Sequence, residues 1–282
     1  MKTPITLFSA LLAAGLAWQT ATAAPQAARA RVSESHYTLA NLQGDMEAEI
    51  AFGRDVAARI LGQLKLLEAS EVNQYLNLVG NAVALHGNRP EITFRFALVQ
   101  SDTINAYAAP GGYIFVTTGA FALMQDESEL AAVLAHEVAH INQRHIVEAL
   151  HIRGSDDAPE AGLARLVGGA TDTARVAFTQ AVDKAVEILF EAGLQQADEF
   201  EADRLGLVSA TLAGYDPEAL PRYLSRLENI QDAKTAVLYK THPPLAERQR
   251  AIAATLDAEG LRRLPGASGH SRFNDMKGKL PQ

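Results

Sequence analysis

His136-Glu137-Val138-Ala139-His140 sets two imidazoles four residues apart, with a carboxylate directly after the first. In a helix, residues at i and i+4 share a face. Both imidazoles then reach one metal ion, and Glu137 stands beside it without being a ligand. Two nitrogen ligands, a third ligand from elsewhere and an open position for water describe a catalytic zinc site. There the metal lowers the pKa of the water and polarises a scissile carbonyl, and the carboxylate takes the water's proton. In random order, 8 histidines among 282 residues with this glutamate content would give the pattern about 0.015 times. The rest of the turn is apolar: Leu134, Ala135, Val138, Ala139 and Ile141. Unpartnered imidazoles and a carboxylate in such a setting would be costly.

The third ligand is sought downstream. A carboxylate with an aspartate four residues on would place one group on the metal and one behind a histidine. After His140 this spacing occurs at Glu199/Asp203 and at Glu228/Asp232. The second pair lies in a polar stretch, Glu228 to Asp232, that reads as a solvated helix end. The first is interleaved with Phe200, Ala202 and Leu205, so its acids must point at something. Glu201 is a rival to Glu199, but its i+4 residue is Leu205, which offers no partner behind the site.

The elements that must position these groups follow from periodicity. Helical patterns run from Asp45 to near Ser70 and from about Glu71 to Leu85. The period then changes to two: Ile92–Phe96, Ile104–Ala108 and Tyr113–Thr117 read as three short strands. Asp126 is an N-cap with Glu129 at the capping-box position, opening a helix expected to reach about Ile152. Further helices are expected over 160–190, with Gly168-Gly169 as a weak point, over 193–212, and after Pro243-Pro244. The pattern predicts an α+β fold, mostly helical, with a small three-stranded sheet before the His136–His140 helix.

Composition narrows the function. The chain has 282 residues, 48% of them apolar, and a net charge of -8 from 25 basic and 33 acidic groups. An acidic chain with no basic block argues against nucleic acid as a partner. The absence of cysteine excludes disulfides, thiolate metal sites and a cysteine nucleophile. Lys2, the apolar run Ile5–Trp18 and Ala21-Thr22-Ala23 form the pattern of a signal peptide cleaved after about Ala23. The expected organisation is a signal peptide over 1–23, a loose leader over 24–43, the catalytic domain over 44–260 and a tail over 261–282. No later stretch is apolar enough to span a membrane, so an exported, periplasmic mature chain is expected.

The sequence resembles the zinc metallopeptidase family that includes the HtpX, CAAX-prenyl endopeptidase and beta-barrel assembly-enhancing types. The resemblance rests on His136–His140, on Glu199-Phe200-Glu201-Ala202-Asp203-Arg204-Leu205-Gly206, and on Thr241-His242-Pro243-Pro244. Asn105-Ala106-Tyr107-Ala108-Ala109-Pro110-Gly111-Gly112 is similar to the family's segment before the zinc helix. The likeness is to the exported, assembly-enhancing type without its C-terminal helical repeats. It implies one Zn²⁺ held by His136, His140 and Glu199, with Glu137 as catalytic base. Asp203 becomes the acid behind the site or a proton donor. The implied function is endopeptidase action on unfolded or misassembled envelope proteins, with outer-membrane proteins or their assembly machinery as partners. Two other classes compete: a chaperone-like module with a silenced zinc site, and a zinc hydrolase with a non-peptide substrate.

Three further features carry expectations. His242, between Thr241 and Pro243, has its backbone held extended. Its imidazole either donates to an oxyanion, fills the open zinc position at rest, or simply caps a loop; the resting ligand is favoured. Asn105 to Ala108, Asn105 and Ala106 foremost, is the candidate edge strand for an extended substrate, with an inner strand as the alternative. His145 and His151, five and eleven residues beyond His140, read as solvated surface, and residues 154–192 as a segment able to cover the site.

Overall fold

The structure is a computed structural model that describes residues 43–152, 162–230 and 233–280. The signal and leader segments of residues 1–42, Asp232, and the first part of the 154–192 segment lie outside the described residues. Helix α1 (Gln43–Gln63) is followed by β1 (Lys65–Leu66), α2 (Ser70–Ala84), β2 (Arg95–Gln100), β3 (Ala106–Ala109) and β4 (Tyr113–Thr117). Then come α3 (Thr118–Leu123), α4 (Glu127–Asn142), α5 (His145–Ala149), α6 (Gly162–Gly168) and α7 (Asp172–Glu187). A π-helical turn over Ile188–Ala192 leads to α8 (Gln196–Leu212), α9 (Ala219–Leu227), α10 (Ala236–Thr241), α11 (Leu245–Ala258) and α12 (His270–Lys277).

The fold is α+β and mostly helical, around one sheet of four strands in the order β1-β2-β4-β3. β2 and β4 are parallel, with Arg95 opposite Tyr113; β1 and β3 pair antiparallel to their neighbours. Strand alternation divides the core. Phe96, Leu98, Ile114, Val116 and Ala108 face α2, α4 and α8. Val99, Phe115, Tyr107 and Ala109 face α1, α7 and the π-turn. The sheet is therefore buried on both sides.

The sheet has a fourth strand, β1, beyond the three expected, and the extents of other elements shift. The strand read as Ile92–Phe96 runs instead over Arg95–Gln100, because Asn77 and Asn73 of α2 accept from the Phe96 and Leu98 N–H groups and seat that stretch against the helix. The 261–280 stretch packs on the domain. Phe273 is fully buried against Phe121, and Arg272 pairs with Glu127 at the first turn of α4.

Asp126 caps α4 as its spacing predicts, accepting from the Glu129 N–H at 2.9 Å; Glu129 in return accepts from the Gln125 N–H. The helix does not reach Ile152. It ends at Asn142, and Arg144 adopts a left-handed conformation (φ 59°) before α5 begins. Arg144 is held in that turn by Asp45 (2.6 Å) and Glu49 (2.9 Å) of α1, and Glu49 also pairs with the buried Arg89 (2.8 Å). A charge network from another element thus decides where α4 stops.

Helix α8 crosses α4 at Gly206. A Cβ there would sit 2.7 Å from the His136 nitrogen and 2.9 Å from the Ala135 carbonyl carbon, inside backbone that cannot yield cheaply. Gly206→Ala should therefore push the helices apart and lower unfolding stability by about 1–3 kcal/mol. Gly62→Ala, in α1 with nothing within 4 Å of the added carbon, should be neutral or raise it by up to about 1 kcal/mol. Urea denaturation of the two variants checks both signs.

Candidate metal centre

Helix α4 presents His136 and His140 on the face turned to α8, and their Nε2 atoms lie 3.1 Å apart. Glu199, in the first turn of α8, reaches the same point: Oε2 lies 3.6 Å from His136 Nε2, and Oε1 lies 3.6 Å from His140 Nε2. One turn on, Asp203 Oδ1 sits 3.0 Å from His136 Nδ1, on the far side of the ring from Glu199. The i, i+4 acids thus divide as the spacing implies, one at the convergence point and one behind a histidine. Glu201 points away and approaches His145 at 3.4 Å, and Glu228 is exposed at the end of α9.

His242 caps α10 with an extended backbone (φ -124°, ψ 157°) and closes the ring of donors. Its Nε2 lies 3.4 Å from Glu199 Oε2. Thr241 Oγ1 donates its proton to the Val237 carbonyl at 2.8 Å, so toward His242 Nδ1, at 2.9 Å, it accepts. The ring proton of His242 is thereby fixed on Nδ1, and Nε2 turns a free lone pair toward Glu199. Donor atoms of His136, Glu199 and His242 lie within 4.8 Å of one another.

The electrostatics fit a cation at this point. Burial holds His136, His140 and His242 below the ordinary imidazole pKa, so all three are neutral lone-pair donors at pH 7. Burial also pushes Glu199 and Glu137 up to about 8. Glu199 Oε2 is buried with no hydrogen-bond partner among the described residues, although imidazole nitrogens surround it. An orphaned carboxylate oxygen ringed by neutral imidazoles is the donor set that zinc takes. Asp203 behaves oppositely. Against the upward push of burial, the Arg248 charge and two hydrogen bonds at 2.9 and 2.7 Å hold it far below the usual carboxylate range.

Glu137 lines a crevice with Ala106, Ala108, His140, Glu199 and His242. β3 is the terminal strand of the sheet, and Asn105 just before it is buried beside Glu137. The π-turn crosses near this strand, with Phe190 stacked on Tyr107 at 4.4 Å. Gly193 (φ 74°) then passes so close to Thr241 that a Cβ would lie 2.2 Å from its carbonyl oxygen.

Two residues of the centre escape a reading by spacing. Arg248, fully buried on Asp203, sits on the core stripe of α11 with Leu245, Ile252 and Leu256; an arginine at a core position is itself the signal of a buried acid. His145 is the correction. It is 2% exposed, not solvated, and its Nδ1 lies 2.8 Å from His140 Nδ1. A continuous helix would have swung it away from His140; the turn at Arg144 brings it back. His151 is exposed, as expected.

Among the described residues no helix is long and apolar enough to cross a membrane. The chain is 30% identical over 218 residues to the beta-barrel assembly-enhancing protease of Yersinia pestis, covering 70% of this chain and 42% of that one. To the protein of the same name from Escherichia coli K12 it is 29% identical over 214 residues, covering 70% and 39%. The chain thus spans about two fifths of the length of these relatives. It is 23% identical over 193 residues to the metalloprotease LoiP of Escherichia coli K12, covering 68% of this chain and 74% of that one. Residues 70–256, which hold β2 to β4, both histidines of α4, the acids of α8, His242 and Arg248, match the model of peptidase family M48, and the chain belongs to that family.

Proposed function

We propose that this protein is a zinc-dependent endopeptidase, with His136, His140 and Glu199 as metal ligands and Glu137 as catalytic base. The observation that carries this reading is the orphaned Glu199 oxygen facing the Nε2 atoms of His136 and His242 inside the domain. Zinc, when bound, brings a coordinated water to a pKa near 7 and polarises the scissile carbonyl.

The protein's own groups do the rest. Glu137, lining the crevice beside His140 and Glu199, would take the proton of the attacking water and pass it to the leaving amine. Asp203, anchored by Arg248, holds the His136 ring with its proton on Nδ1 and its lone pair inward. The substrate lies extended along the outer edge of β3, where main-chain pairing binds it with little side-chain selectivity. Ala106 and Ala108, facing the crevice beside Glu137, leave room for the backbone to approach.

Export and substrate class are part of the proposal. The signal pattern of residues 1–23 and the beta-barrel assembly-enhancing name of the relatives support a periplasmic protease of unfolded or misassembled envelope proteins. With a metal in the site, His242 would serve as a resting ligand that gives way to substrate. Its free Nε2 lone pair at 3.4 Å from Glu199 supports that role over donation to an oxyanion, for which the proton would have to be on Nε2.

Metal content of the purified protein, measured beside chelator-sensitive hydrolysis of casein, tests the reading; metal-free protein of full activity would end it. Glu137→Gln should keep about one equivalent of zinc while casein turnover falls about 10³-fold or more. Glu199→Ala should lose zinc and Glu201→Ala should retain it, as read by metal analysis after dialysis. Asp203→Ala should weaken zinc binding or activity by about 10- to 100-fold. His242→Ala, compared at matched zinc content, should raise casein turnover; a clear fall would assign the imidazole to transition-state stabilisation instead.

A further inference from the structure

We propose that His145 is a positioning residue for the metal centre: it fixes the tautomer and orientation of His140, and Glu201 in turn fixes His145. This rests on the reading of His136, His140 and Glu199 as the metal site. The two candidate ligand histidines are backed differently. His136 has the Asp203 carboxylate directly behind it, itself clamped by Arg248. Behind His140 stands a second imidazole, with the two Nδ1 atoms 2.8 Å apart.

Two facing ring nitrogens at this distance share one proton. His140 Nε2 faces His136 Nε2 and Glu199, so a lone pair there requires the His140 proton on Nδ1. That proton is then donated to His145 Nδ1, which must be bare. The His145 proton is therefore on Nε2, and Nε2 faces Glu201 Oε2 at 3.4 Å. A carboxylate whose side chain is 41% exposed thus selects the tautomer of a buried imidazole, and that imidazole selects the tautomer of the ligand. His145 is seated by the left-handed turn at Arg144, which Asp45 and Glu49 hold. The pair also gives Glu201 a purpose in the acidic run of α8 distinct from that of Glu199.

The test uses zinc affinity of the full chain, measured by competition with a chromophoric chelator. His145→Leu fills a similar volume without an acceptor, and its zinc Kd should rise about 10- to 100-fold. His145→Asn restores an acceptor oxygen near the Nδ1 position and should return the Kd to within about threefold of the parent. Denaturation of the metal-free variants reads any packing loss separately from the change in Kd. Unchanged zinc affinity in His145→Leu, or equal weakening in His145→Leu and His145→Asn, would overturn the proposal. His140→Ala separates the two levels. If it retains zinc, the metal-site reading fails and this inference with it. If it loses zinc while His145→Leu binds normally, only the role of His145 falls.

Discussion

The centre depends on the close crossing of α4 and α8, which only the missing Cβ of Gly206 permits. At that contact the His136 backbone and the α8 backbone come within van der Waals distance. The side chains one and two turns toward the α8 N-terminus, Asp203 and Glu199, then fall on either side of the His136 ring. A displacement of one ångström would separate Glu199 from the two Nε2 atoms it meets at 3.6 Å. The remaining features of the site are devices for holding this crossing or supports for the groups it brings together.

Both ends of α4 are held by charges from distant elements. At its start, buried Glu127 accepts from Tyr75 (2.7 Å) and Tyr215 (3.0 Å) and pairs with Arg272, while Glu129 pairs with Arg226. Acidic groups in a first helical turn also meet the favourable end of the helix dipole. At its end, Arg144 and Arg89 bind Asp45 and Glu49. Breaking one partner of such a buried pair leaves an uncompensated charge, which costs roughly 3–5 kcal/mol. The helix carrying the histidines is therefore fixed in both axial position and rotation, which a metal centre with tolerances of tenths of an ångström requires.

The interior of the site separates its ionisable groups by environment. Three imidazoles stay neutral through burial, two carboxylates are pushed up to about 8, and Asp203 alone is held charged by Arg248. Arg248 thus satisfies the one fixed negative charge, and Glu199 Oε2 is left facing imidazole nitrogens with no hydrogen-bond partner among the described residues. Groups whose environments drive them in opposite directions within one cleft mark acid-base and ligand roles.

Local spacing encodes what lies within one element. The i, i+4 histidines, the i, i+4 acids, the Asp126 cap and the extended His242 were all legible because each depends on no more than five neighbouring residues. The bounds of α2 and the start of α1 were close for the same reason, whereas α1 ends at Gln63, before the expected break near Ser70, and β1 follows it. The sequence alone could not show that α4 stops at Asn142, since the cause is a pairing of Arg144 with Asp45, 99 residues away. The burial of His145 follows from that stop, so it was lost with it. Arg248 meets Asp203 across 45 residues, and the 270–277 helix meets α4 across 145. The order β1-β2-β4-β3, which sets β3 at the edge beside Glu137, is likewise a choice among packings that alternation alone leaves equal. The sequence determined which residues could do the chemistry. The tertiary structure decided which of them are held, because buried charges find their partners only once separate elements have packed.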